Sequence, residues 1–348
     1  MKNTICGLMV ALLFTASLFG DDAVKYINSG NAKVQSRDWD GAIADFSQAI
    51  AINTNEPNAW LNRARAKQAN HDPAGALADL NETIALSPDQ AYAYVLRGTL
   101  KQDLGYFADA LTDYDFAIDK LHYNTFDFAY YNRANARAAL GNLSGAVADY
   151  GQALTLNSQN FNAWLCRANL QQELGDFAFA RADYDQAIKL NPDYGPIYFN
   201  RGCLHYNLGE FAAALTDFRK VCEVSPADYG DYGHFRIWLT RARLGETDAA
   251  TAELNDYWNK RALAAAGWPD QVAHFLTGQL PEPDFLKAAA DSNHDTDAGQ
   301  HCEAYFYAGA KRLLAGDKPR ARDYFQKCQA TGIKQYCEYQ SAVAELKN

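Results

Sequence analysis

The sequence predicts an all-α fold, a solenoid of stacked helix-turn-helix repeats with a divergent helical carboxyl-terminal part and a capping helix. Three observations carry that prediction. A small residue recurs as Ala42, Ala76, Ala110, Ala146, Ala180 and Ala214, at steps of 34, 34, 36, 34 and 34. Other residue types recur in phase with it. The spacings among them, mostly 3, 4 and 7, put them on one face of a helix.

The first helix of each repeat carries an aromatic sixteen residues before the key Ala: Tyr26, Trp60, Tyr94, Tyr130, Trp164 and Tyr198. Four residues further on stands Gly or Ala: Gly30, Ala64, Gly98, Ala134, Ala168 and Gly202. These small residues let two backbones approach, and the aromatics fill the gap to the next repeat. Turn residues such as Leu174–Gly175–Asp176 and Leu208–Gly209–Glu210 separate the helices. The second helix places a large apolar residue four after the key Ala: Phe46, Leu80, Tyr114, Tyr150, Tyr184 and Phe218. Pro88, Pro192 and Pro226 end three repeats, because Pro cannot continue a helix. No single repeat buries its own apolar face, so stacked neighbours supply the core.

A 34-residue period with these markers resembles the tetratricopeptide repeat family. The resemblance covers six copies: 23–56, 57–90, 91–124, 127–160, 161–194 and 195–228, within a repeat region 21–228. It implies a right-handed superhelix whose first helices line a concave groove. The single step of 36 marks two extra residues near Tyr123–Phe126. Arg63, Arg97, Arg133, Arg167 and Arg201 recur too, with Asp45, Asp79, Asp113, Asp149, Asp183 and Asp217. Such an array suits ion pairs tying helices or repeats together, and as surface pairs each would contribute about 0–1 kcal/mol.

Residues 1–20 read as a cleavable signal peptide: Lys2, an apolar run from Ile5 to Phe19, then Gly20 before Asp21–Asp22. The run is too short to span a bilayer comfortably. Cys6 stands at its start instead of after it and is misplaced for lipidation, so no stable membrane anchor is expected and the expected location is periplasmic or secreted. Without the signal, 31 basic residues face 42 acidic ones, which argues against nucleic acid as a partner.

Beyond the repeats, 229–301 is a divergent helical region. Its two helices around Leu244–Gly245–Glu246 precede a Pro-interrupted segment and a polar loop, Asp291 to Gly299. Residues 302–348 form a last helix pair and a helix with the stripe Tyr336, Tyr339, Val343 and Leu346, which caps the array. Phe275–Leu276–Thr277–Gly278, Glu303–Ala304–Tyr305–Phe306–Tyr307–Ala308–Gly309 and Glu338–Tyr339 with Ala342 resemble the NlpI family of bacterial envelope lipoproteins. That resemblance implies a non-catalytic adaptor, homodimerisation, and docking of peptidoglycan hydrolases and a processing protease.

Cys302 and Cys328 are candidates for a disulfide. Level residues of an antiparallel helix pair have repeat positions with a constant sum. The Gly and Ala markers, at 8 and 20, share that sum with Cys302 and Cys328 at 1 and 27.

No catalytic constellation is present, and no cofactor is expected. The best metal candidate is His294, Asp295, Asp297, His301 and Glu303, whose spacing matches no metal motif. A metal-dependent envelope enzyme using it is the alternative function. A cytosolic or host-directed scaffold is a second, if the amino terminus is retained. The preferred site is a peptide-binding groove on the first helices: Asn31, Arg65, Gln68, Thr99, Gln102, Tyr131, Asn135, Asn169, Gln172, Phe199 and Tyr206. Asn and Gln both donate to and accept from a peptide backbone, and the aromatics offer flat anchors. With Asp103 and Glu173 adjacent, a neutral or basic extended peptide fits best.

Overall fold

The computed structural model describes residues 22–261, 267–334 and 336–347. The expected signal peptide and its cleavage point lie outside the described residues. All regular elements among them are helical. The chain divides into two compact units, residues 1–158 and 159–348.

The first unit holds four helix pairs. They are α1 (22–35) with α2 (Trp39–Ile52), α3 (Pro57–Ala69) with α4 (Pro73–Leu86), α5 (Ala91–Asp103) with α6 (Phe107–Asp115), and α7 (Asp127–Ala139) with α8 (Leu143–Leu156). The Ala markers are fully buried at each pair's crossing. A Cβ added to Gly98 would stand 2.8 Å from the Tyr114 ring, so that ring would have to shift to admit one. Aromatic tips seal the repeat joints: Trp60 Nε1 donates to the Thr54 carbonyl at 2.9 Å, and the Tyr94 hydroxyl to the Pro88 carbonyl at 3.2 Å. The two extra residues are absorbed by a π-helical turn, Phe116–Lys120, and a bend in which Tyr123 stacks on Phe126.

The repeated ion pairs lie inside each repeat and are not surface pairs. Arg63, Arg97, Arg133, Arg167 and Arg201 each grip the Asp sixteen residues later through two bonds of 2.6–2.9 Å. Those Asp residues are buried at 1–4% exposure, which makes each pair a desolvated tie between the two helices. Each guanidinium also lies over the aromatic three residues before it, 4.8–5.8 Å from the ring centre.

The second unit begins with α9 (Phe161–Leu174), α10 (Phe177–Leu190), α11 (Gly195–Asn207) and α12 (Phe211–Val224). The divergent region keeps a helix pair, α13 (Gly230–Arg243) and α14 (Thr247–Lys260). The Pro-interrupted segment folds into α15 (Trp268–Leu276) and α16 (Glu282–Ala288). Pro sits in the first turn of both helices, where its missing N–H costs nothing. The stretch expected as a loop, Asp291 to Gly299, is largely helical. Asn293 caps the backbone N–H groups of Asp295 and Thr296, and α17 runs His294–Leu314. Its first turns are polar and solvent-facing, so they carry no apolar stripe to announce a helix.

The chain then forms α18 (Lys318–Ala330) and α19 (Cys337–Lys347). α19 packs on α17 and α18, as a cap would, and also on α11. Tyr336, Tyr339 and Leu346 of the expected stripe pack against the core beside buried Ala342, and polar groups add to the hold. Arg236, fully buried, donates to Glu338 at 2.6 Å and to Ser341 at 3.2 Å, and Arg243 pairs with Glu345. A disulfide joins Cys203 on α11 to Cys337 at the start of α19.

Candidate functional site

The residues expected to line a groove divide by burial. Asn31, Arg65 and Asn169 are exposed; Gln68, Thr99, Gln102, Tyr131, Asn135 and Gln172 are half-buried. Phe199 and Tyr206 are 7% and 3% exposed and belong to the core of the second unit, packed against Phe218 and Phe211. They are unavailable as ligand anchors. Aromatic character alone does not distinguish a groove position from one covered by later elements, here α13 and α19.

Much of the polar chemistry is already engaged. The Tyr184 hydroxyl meets Asn169 Oδ1 at 2.7 Å and Gln172 Oε1 at 3.1 Å; Tyr114 does the same to Thr99 and Gln102 at 3.3 and 3.4 Å. The Tyr150 hydroxyl donates to Asn135 Oδ1. Burial raises the Tyr184 and Tyr114 phenols well above the ordinary tyrosine range, so both stay protonated donors. A second set of bonds links neighbouring repeats. Asn62 donates to Asn31 Oδ1 at 3.2 Å, Asn132 to the Thr99 hydroxyl at 3.1 Å, and Asn200 to Asn169 Oδ1 at 3.0 Å. The donors stand two residues before the small marker, a phase that the sequence shows once all six repeats are aligned.

The second unit adds a feature invisible in the sequence. α19 lies beside the exposed faces of α9 and α11 and forms the other wall of a cleft. One part, about 270 Å³, is lined by Asn169, Gln172, Asn200, Lys334 and Gln340 around the Cys203–Cys337 disulfide. An adjoining part, about 400 Å³, shares Gln172, Glu173 and Gln340 and adds Phe177, Val343 and Lys347. Asn169 Oδ1 already accepts two bonds, which leaves its Nδ2 donors, with the Asn200 Oδ1 acceptor, for an incoming backbone. Asn207, on the same wall, has a buried Oδ1 without a partner. The cleft thus offers carboxamides on both walls with short apolar steps between them, a surface suited to an extended chain.

The His294 cluster does not assemble. His294 and Asp295 are fully solvent-exposed at the start of α17, whereas Glu303 is buried and accepts from Trp268 Nε1 at 2.8 Å. No three His, Cys, Asp or Glu among the described residues are placed to hold a metal ion. Cys302 and Cys328 do lie level and buried, Sγ to Sγ 3.4 Å, but as thiols; the disulfide among the described residues is Cys203–Cys337. The helix-pair arithmetic covers only partners within one pair, so it missed a bond made across 134 residues.

Comparison with known families agrees with this architecture. Tetratricopeptide repeat models match residues 27–91, 161–194 and 195–228, and a TPR repeat model matches 134–175. The chain is a tetratricopeptide-repeat protein. Among solved structures it is similar to a tetratricopeptide repeat protein from Parabacteroides merdae, at 17% identity and TM-score 0.51, over 84% of this chain and 99% of that one. It is also similar to pilF of Pseudomonas aeruginosa, at 16% identity and TM-score 0.54, over 62% of this chain and 97% of that one. At such identities the likeness is one of fold. Nothing among curated proteins matches the chain.

Proposed function

We propose that the chain is a non-catalytic scaffold of the bacterial cell envelope that binds proteins or extended peptides along its first helices. The observation that carries this reading is the two-walled cleft of α9, α11 and α19, where Asn169, Asn200 and Gln340 present unspent backbone-binding groups. The repeats themselves support protein binding as the general role. The apolar segment at 5–19 supports export, and a disulfide persists best in an oxidising compartment. No helix among the described residues is long and apolar enough to cross a membrane. The NlpI-like tail supports cell-wall hydrolases or a processing protease as partners, and a homodimer as the working form.

The test is capture of partners from envelope extract, comparing the wild type with Gln340→Arg and with Arg65→Glu. These side chains carry no architectural bond across repeats, so the fold is retained. Loss of the same partners in Gln340→Arg supports the cleft; equal recovery by all three proteins removes it. Fractionation and the mature amino-terminal residue test export.

A further inference from the structure

A separate cavity of about 510 Å³ opens between the carboxyl ends of α13, α17 and α19 and the first turns of α18. Its size is in the range of small-molecule sites, about 300–1,000 Å³. Leu313, Leu314, Phe325 and Leu346 make an apolar lining, and Phe325 is buried. Three cations, Arg243, Lys318 and Arg322, stand around it with one carboxylate, Glu345. Arg243 neutralises Glu345 and stacks over Phe211 at 5.0 Å. Lys318 and Arg322, one helical turn apart on α18, are exposed and have no acidic partner among the described residues. In a chain whose net charge is −10, this cavity therefore carries an uncompensated positive rim over an apolar floor.

What the lining lacks narrows the ligand further. It contains no Asn, Gln, Ser or Thr, and its one carboxylate, Glu345, is engaged by Arg243, so the N–H groups of a peptide backbone would enter unmatched. The cleft between α9 and α19 has the opposite character. We propose that this cavity binds a small amphiphilic anion: an aliphatic body against Leu313, Leu314 and Phe325, and a carboxylate-type head between Lys318 and Arg322. The site is distinct from the cleft, and neither depends on the other.

Calorimetric titration with dodecanoate, kept below its micellar concentration, tests this directly. Acetate supplies the head alone, and dodecyltrimethylammonium supplies the same tail with the opposite charge. One saturable dodecanoate site is expected, weakened about tenfold or more, a change of about 1.4 kcal/mol, in Lys318→Glu/Arg322→Glu and again in Leu314→Gln. Both charge positions are exposed, so circular dichroism should show unaltered folding. Neither acetate nor the cationic amphiphile should bind measurably. Absence of dodecanoate binding, equal binding of the cationic amphiphile, or unchanged affinity in the folded double variant would overturn the proposal.

Discussion

Tyr184 and Asn169 are joined by a 2.7 Å hydrogen bond from the phenol of one repeat helix to the carboxamide of its partner. The bond gives Asn169 two duties: it keeps a buried hydroxyl satisfied, and its free donors face the cleft. Tyr114 with Thr99 and Tyr150 with Asn135 repeat the arrangement. Tyr184→Phe should therefore cost about 0.5–1.5 kcal/mol in denaturant unfolding while leaving the Asn169 side chain in place. Asn169→Ala keeps Gln172 as an alternative acceptor for the phenol but also loses the exposed bond from Asn200, so its cost should be similar. A loss above about 3 kcal/mol for Asn169→Ala would mean that Gln172 does not substitute.

The buried ion pairs are not equivalent. Asp79 and Asp113 each meet a second cation, Lys67 at 2.9 Å and Lys101 at 2.8 Å, and Asp149 meets Arg137. In the fifth repeat that position is Gln171, whose buried Oε1 has no partner, and Asp183 is paired with Arg167. Arg167→Ala should destabilise by about 3–5 kcal/mol by stranding a buried carboxylate. Arg63→Ala, with Lys67 still beside Asp79, should cost clearly less. Equal losses in urea unfolding would show that the second cation contributes nothing.

Glu303 supplies a pH dependence. Burial, with Glu338 nearby, raises its carboxyl to about 8, although Trp268 donates to it and Arg236 is close. Tyr232, Tyr307 and Tyr336 also surround this carboxylate pair. A carboxyl raised on folding stays protonated in the native state while the unfolded chain has already ionised. Stability should thus be full below about pH 4.5 for this group and fall between there and about pH 8, at up to about 1.4 kcal/mol per pH unit. Glu303→Gln, which still accepts from Trp268, should flatten that slope and raise stability at pH 8. An unchanged slope would assign it to another group.

The disulfide pins α19 beside the cleft. Closing a loop this long stabilises by about 2–5 kcal/mol in chain-entropy terms, so Cys203→Ala/Cys337→Ala should lower the unfolding midpoint. Arg236–Glu338 and Arg243–Glu345 should still hold α19 in place. Hydrogen exchange over 337–347 reads this directly: full loss of protection would show the sulfur bridge to be the main tether. Alkylation of denatured, unreduced protein would also show whether Cys302 and Cys328 remain thiols or close a second bridge.

His71 occupies a left-handed conformation, φ 60°, at the turn where later repeats carry Gly105, Gly141, Gly175 and Gly209. His71→Gly should relieve that strain and stabilise the first unit by up to about 1 kcal/mol. A fall in the unfolding midpoint would show that the imidazole contributes more than the backbone loses.

The repeat was legible because architecture here is periodic. Ala180, Tyr184 and Trp164 recur in sister repeats, and periodicity separates such residues from the rest without any coordinates. The ion pairs were legible as rows, but their burial was not, since the Asp residues are desolvated only when the two helices of a pair close on each other. Of the two groove positions expected on α9, Asn169 is exposed and Gln172 half-buried. Phe199 and Tyr206 were misjudged because other elements cover them, Phe218 and Tyr229 at Phe199 and Phe211 with Arg243 at Tyr206, and a row of groove positions carries no sign of that cover. Gln340 and Lys347 gave no sequence signal, and Val343 was legible only as part of the last helix's apolar stripe: their place in the cleft depends on where α19 docks.

By itself, the sequence determined the helical repeat, its register and the residues that join the two helices of each pair, because these follow from local spacing along a chain with a fixed helical period. Only the tertiary structure decided which polar groups are spent and which remain open, that Cys203 bonds to Cys337, and that α19 forms a wall of the cleft. The disulfide and the docking of α19 depend on contacts between segments more than a hundred residues apart, which no repeat period encodes, and the spent polar groups depend on side-chain contacts between helices.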